Sequence, residues 1–236
     1  MDRRNFIAGA GGVILSSGAP GVLAKPQLVY PSDACRPTRR QTRGPYLTPD
    51  SPRRSDIREG AAGVPVKLEL TVIDALWCKP VADFVVDIWH CDANGLYSGV
   101  DNIVFDPDTL QMTDQAIDMK DKSFLRGHQV TGDDGKAVFT TIYPGWYMPR
   151  IAHIHVRLIW RDVEWTAFDT QLYLPADIER AVYDTAPYAA RGRNPIGVDR
   201  DIVIKGDVAS VNDLTVALDR DGDGYKGSFE IAATSL

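Results

Sequence analysis

The chain has 236 residues, 44% of them apolar and 25% charged, the composition of a soluble globular protein of one medium domain or two small ones. Its 26 Lys and Arg face 32 Asp and Glu, a formal charge of −6, which leaves no basic surplus to hold a phosphate backbone; nucleic acid is not expected as a partner. Three cysteines are too few for a disulfide scaffold, and of only four histidines two, His153 and His155, sit one residue apart.

In chain order, Arg3 and Arg4 precede Phe6, a weakly apolar glycine-rich run follows, and Val22-Leu23-Ala24 offers small residues to a signal peptidase. Residues 1–24 therefore read as a twin-arginine signal peptide, which implies passage through the twin-arginine export machinery to a periplasmic or secreted location. A protein exported folded acquires its metal before release. The run from Phe6 to Ala24 holds five glycines, Pro20 and two serines, too broken for a resident span, so no stable membrane anchoring is expected. Residues 25–62, rich in Pro, Arg, Ser, Thr and Gly, read as an extended N-terminal arm.

From residue 63 to 236 the text becomes that of a β domain. Val64 to Asp74 alternates apolar and polar residues, the signature of a half-buried strand. Further strands are predicted at Val81–His90, Gly127–Val130, Ala137–Ile142, Ile151–Trp160, Trp165–Leu174, Asp201–Lys205, Asp213–Leu218 and Ser228–Ala233, with turn chemistry at Gly132–Gly135 and Pro144-Gly145. One short helix is predicted from Pro175 to Tyr183, with an acidic first turn and Ile178 and Val182 four apart. The absence of a βαβ rhythm gives an all-β fold, an antiparallel β-sandwich with an extended arm. In an exported chain Cys35, Cys78 and Cys91 allow one bridge and one free thiol; Cys35 with Cys78 is the favoured pair, because it clips the arm to the sheet.

Side chains at i and i+2 of a strand share a face about 7 Å apart, so His153 and His155 can reach one metal while Ile154 points into the core. Alone, such a pair is as readily structural. The flanks add Tyr147 and Arg150 just upstream and Tyr97 in a glycine turn after the second strand. Two histidines and two tyrosines suggest ferric iron, since a trivalent cation holds a phenol as phenolate and that hard donor favours Fe(III). Taken singly, either tyrosine fits a corner with a satisfied hydroxyl, and Arg150 fits a surface charge. Trp89, Trp146, His90 and His128 read as packing residues, His128 with a place beside the pocket.

The segments Trp89 to Ser98, Phe124 to Gly135, Thr141 to Tyr147 and Arg150 to His155 together resemble the intradiol ring-cleaving dioxygenases of the catechol and protocatechuate type. The resemblance runs from about residue 33 to 233, takes in Gly44-Pro45-Tyr46 and Asp169 to Leu174, and is nearest to the exported single-domain branch. It implies Tyr97, Tyr147, His153 and His155 as ligands of Fe(III), with Tyr147 the axial tyrosine that a catechol displaces on losing its protons. It implies Arg150 as the group that stabilises developing negative charge, and Gln171 as its partner. The implied reaction cleaves an aromatic diol with O2 between its hydroxylated carbons to a cis,cis-muconate type diacid. A homo-oligomer is compatible with the pattern. The segment from Tyr147 to His153 is shorter than in the protocatechuate enzymes, which leaves the pocket walls open.

Two other readings compete. Asp219 to Glu230 satisfies the twelve-residue calcium-loop pattern, but its strand-like flanks favour a β-hairpin turn. For the whole chain, the alternative is an exported, non-catalytic β-sandwich binding module, transthyretin-like or carbohydrate-binding.

Overall fold

The computed structural model describes residues 35–49, 51–160, 163 and 167–234; the export signal expected at 1–24 and the first part of the arm lie outside the described residues. The elements follow in the order β1 (Pro65–Asp74), β2 (Lys79–Pro80), β3 (Phe84–Trp89), β4 (Asp101–Phe105), β5 (Met112–Asp118), β6 (Arg126–Val130), β7 (Lys136–Ile142), β8 (His153–Trp160), β9 (Phe168–Tyr173), α1 (Ala176–Tyr183), α2 (Val208–Asp213), β10 (Ala217–Asp221) and β11 (Gly224–Ala233).

The alternation read in β1 decides which way its side chains face: Val66, Leu68, Leu70 and Val72 are buried, Lys67 is exposed. β1 pairs along one edge with β11, itself paired to β10, and along the other with β7 and β2. The β1–β11 pairing is parallel, and the other pairings of this sheet are antiparallel. A second, wholly antiparallel sheet runs β6-β3-β8-β9. The inner faces meet in one core, where Leu68, Leu70 and Phe139 of the first sheet pack with Val86, Ile88, Ile154 and Val156 of the second.

The arm covers what a bare sandwich would leave wet. Gln41 N donates to Asp169 O and the Thr170 hydroxyl to Arg39 O, so the arm lies along β9. Farther on, Ile57 N donates to Thr140 O and the Ile57 side chain is wholly buried in the core. A disulfide joins Cys35 to Cys78 across a Cα–Cα distance of 5.3 Å, and Cys91 is a buried free thiol.

Two local expectations change, one hairpin is unforeseen and one reading holds. Asp201–Lys205 is a turn rather than a strand, because the Asp201 carboxylate accepts from Val203 N and Ile204 N and folds the chain back on itself. The strand expected at Asp213–Leu218 begins only at Ala217, as β10; Asp213 ends α2, which is capped by Asp207 accepting from Ser210 N, so the described residues hold two short α-helices where one is expected. The hairpin β4–β5 has no sequence signature, since β5 is exposed at nearly every position and shows no alternation. The Asp219–Glu230 stretch is the β10–β11 hairpin, with Asp221 opposite Gly224.

Candidate active site

Each candidate side chain is fixed by the element that bears it. After β3 the chain turns at Asp92, whose side chain accepts from Asn94 N and Leu96 N, and delivers Tyr97 into the interior. The Asn102 amide holds that residue from both sides, Oδ1 accepting from Tyr97 N at 2.6 Å and Nδ2 donating to Tyr97 O at 2.8 Å. The second turn is tied to the first by Gly145 N donating to Asp92 O, and brings in Tyr147. β8 then carries His153 and His155 on one face, with Ile154 in the core as its strand period requires.

The four side chains converge. His153 Nε2 lies 3.1 Å from His155 Nε2 and 3.5 Å from each of the Tyr97 and Tyr147 hydroxyls. His153 donates Nδ1–H to Ile151 O at 2.7 Å, which fixes its tautomer and turns the Nε2 lone pair toward the cluster. His155 Nδ1 has no hydrogen-bond partner among the described residues; stacking on Trp89 at a centroid distance of 4.8 Å holds its ring instead. Tyr46 of the arm stacks on Tyr97 at 4.5 Å and braces the hydroxyl pair from outside.

Burial, helped by the charge of Arg150, pulls both histidines well below the usual imidazole range and keeps them neutral. Burial also pushes the Tyr97 and Tyr147 phenols up. Two neutral imidazoles and two phenols at such spacings suit the edges of a coordination shell with bonds of about 2 Å, and a cation there would draw off the phenolic protons. Among the described residues no group of three or more His, Cys, Asp or Glu gathers to hold a metal; phenols supply half of this donor set.

Arg150 is 3% exposed and fully engaged. Its Nε lies 3.0 and 2.9 Å from the two Asp201 carboxylate oxygens, Nη2 donates to Gln171 Oε1 at 2.6 Å, and Nη1 faces His153 Nε2 at 3.4 Å. Burial opposes its charge, but Tyr147 and Asp201 outweigh that and raise its pKa. Gln171 is held in turn by donating to Thr42 O at 2.7 Å.

Asp201 is the residue that sequence reasoning missed. It lies 51 positions from Arg150 in sequence, and nothing local links the two. The other two histidines stand apart. His90, wholly buried, donates Nδ1–H to Cys91 O and accepts from the Thr141 hydroxyl, and burial pulls its pKa down to about 4. His128 bonds Ser51 O and lines neither cavity beside Tyr147.

Those two cavities open on either side of Tyr46 and Tyr147. One, of about 300 Å³, reaches Arg150; the other, of about 220 Å³, runs along Trp146 to Arg191.

Residues 44–200 match the sequence model of a family described as Dioxygenase (Dioxygenase_C). An intradiol ring-cleavage dioxygenase from Tetranychus urticae superposes with a TM-score of 0.69 at 25% identity, over 85% of this chain and 95% of that one. The chain belongs to the intradiol dioxygenase family. The dioxygenase domain of a dioxygenase carbohydrate-binding protein fusion from Streptomyces sp. SirexAA-E also matches, at 26% identity and a TM-score of 0.55, over 85% of this chain and all of that one. A hydroxyquinol 1,2-dioxygenase from Pseudomonas putida DLL-E4 shares the fold at 20% identity and a TM-score of 0.56, over 87% of this chain and 69% of that one. No curated protein sequence matches significantly. The match to the dioxygenase family contains Tyr97, Tyr147, Arg150, His153, His155 and Gln171, and stops one residue short of Asp201.

Proposed function

We propose that this dioxygenase is a non-haem Fe(III) enzyme that cleaves a catechol-type ring between its two hydroxylated carbons with O2, giving a cis,cis-muconate type diacid. The observation that carries the reading is the convergence of Tyr97, Tyr147, His153 and His155 on one point, with Arg150 Nη1 facing it. A sandwich that only binds a ligand has no use for two phenols and two neutral imidazoles aimed at each other.

Tyr97, Tyr147, His153 and His155 are the residues that would hold the iron. Bound Fe(III) supplies a Lewis acid for the deprotonated diol and a one-electron acceptor that opens the ring to dioxygen. Tyr147, on the wall of both cavities, is the base placed to take a substrate proton at Oη. Tyr97, which lines neither, stays in place. Arg150 is preorganised: Asp201 and Gln171 fix its Nε and Nη2, so Nη1 meets negative charge on the opening ring without reorienting. The indole of Trp89 and the arm behind His155 keep water from the imidazoles.

The Cys35–Cys78 disulfide and the twin-arginine pattern support working in an oxidising compartment outside the cytoplasm.

Phenolate bound to ferric iron absorbs visible light, so the iron-loaded protein should be coloured, and Tyr147→Phe should shift that band and cut oxygen uptake on catechols by at least about a hundredfold. A colourless iron-loaded protein that consumes no oxygen with any aromatic diol sinks the reading and favours the non-catalytic binding module.

A further inference from the structure

We infer that the diol cleaved here carries an uncharged, apolar substituent, seated in the larger cavity beside Tyr147. The inference rests on the diol reading above and names the class of diol. That cavity, of about 300 Å³, is walled by Pro45 of the arm, Ile103 and Phe105 of β4, Pro149, and Ile202 and Val203 of the turn after Asp201. The hairpin β4–β5 and the Asp201 turn, both illegible in the sequence, therefore supply most of the apolar wall.

Among the described residues that wall carries one charged group, Arg150, and its charge is already matched by Asp201 at 2.9 Å while Gln171 takes Nη2. A carboxylate entering there would shed water and meet a guanidinium whose charge Asp201 already matches and of which Nη1 alone faces the site, which disfavours it; a hydrocarbon group buries apolar surface. The chain's formal charge of −6 adds to the bias against anions. The smaller cavity differs in kind. It carries Asn94, Asn102 and Arg191, whose guanidinium stacks on Trp146 at 4.2 Å and donates to Asn94 O at 2.6 Å. From Tyr147 one branch is thus apolar and the other polar, and the apolar one adjoins Arg150.

The test uses the iron-loaded protein and two readouts: calorimetric affinity without oxygen, and oxygen uptake with it. The probes are catechol, its 4-methyl, 4-ethyl and 4-propyl derivatives, and 3,4-dihydroxybenzoate. Affinity and kcat/KM should each rise about fourfold per buried carbon of the substituent, with 3,4-dihydroxybenzoate no tighter than catechol and so about sixtyfold or more weaker than 4-propylcatechol. Ile202 is 50% exposed at the rim, so Ile202→Lys should fold normally, flatten the chain-length series and tighten 3,4-dihydroxybenzoate. A flat series in the unaltered protein, or 3,4-dihydroxybenzoate bound more tightly than catechol, overturns the inference and leaves the dioxygenase reading standing. Loss of oxygen uptake with every diol overturns that reading instead, while the oxygen-free affinities still rank the substituents.

Discussion

Asp201 shows how much of the candidate site rests on a carboxylate outside the cluster of histidines and tyrosines. It accepts from Arg150 Nε, from Ile151 N at 2.8 Å, and from Val203 N and Ile204 N, and its own side chain is completely buried. Replacing it with asparagine keeps the shape but leaves the Arg150 guanidinium, itself 3% exposed, without a counter-charge. Removing one partner of a buried ion pair typically costs about 3–5 kcal/mol. Asp201→Asn should therefore lower unfolding stability by about 3 kcal/mol in urea melts. Through misplacement of Nη1 it should also lower kcat by about tenfold to a hundredfold with KM nearly unchanged. Equal losses in kcat and in diol affinity would point to general disruption instead. The candidate site residues were legible in the sequence, and the fold draws Tyr97, Tyr147, Arg150, His153, His155 and Gln171 to one place. Their chemistry is unusual enough, and their motifs local enough, to be read one segment at a time. Asp201 had no such signal, because Asp-Ile-Val-Ile-Lys looks like the start of a strand and its partner lies 51 residues away.

At the scale of elements, β8 departs from the usual half-buried strand. Six of its eight residues are buried, because Ile154, Val156 and Leu158 face the core while the arm and β3 close over His153 and His155. The arm's contribution is specific at Gly44. Its φ of +67° suits glycine, and a Cβ there would meet His155 Cε1 at 3.1 Å. Gly44→Ala should add about 1–2 kcal/mol of backbone strain and push the His155 ring off its stack with Trp89. Gly60 provides the control: its φ is +77°, but a Cβ meets nothing within 4 Å. Both variants should lose similar stability, and only Gly44→Ala should bind less iron per chain, measured by metal analysis after loading. Matching iron content in the two would show that the arm does not position His155. β1 was readable from alternation because it has one buried face. The hairpin β4–β5 was not, because its strands pair only with each other and β5 lies almost wholly in solvent.

For the whole molecule, the sandwich supplies rigidity and the arm supplies closure, so the way the arm is attached governs the site. Hydrogen bonds carry the arm from Thr38 N on Ala232 O, through Gln41 N on Asp169 O, to Thr42 O under Gln171. The Cys35–Cys78 bridge anchors its described start, closing a sequence separation of 43 residues onto the turn between β1 and β2. A loop of that size confines the unfolded chain by about 4 kcal/mol in the loop-entropy account, and bridges of this kind typically deliver about 2–4 kcal/mol. Cys35→Ser with Cys78→Ser should therefore lower stability by about that much. The loss should fall unevenly. Amide exchange should rise first at Thr38 and Gln41, which depend on the clip, and stay slow in β1, whose inward side chains form the core. The same pattern should appear in the unaltered chain made in a reducing cytoplasm, where the bridge does not persist, and vanish in protein recovered from an oxidising compartment, where non-reducing mass mapping should find Cys35 joined to Cys78. Uniformly faster exchange across both sheets would mean that the bridge supports the sandwich as a whole rather than the closure of the arm over β8 and β9.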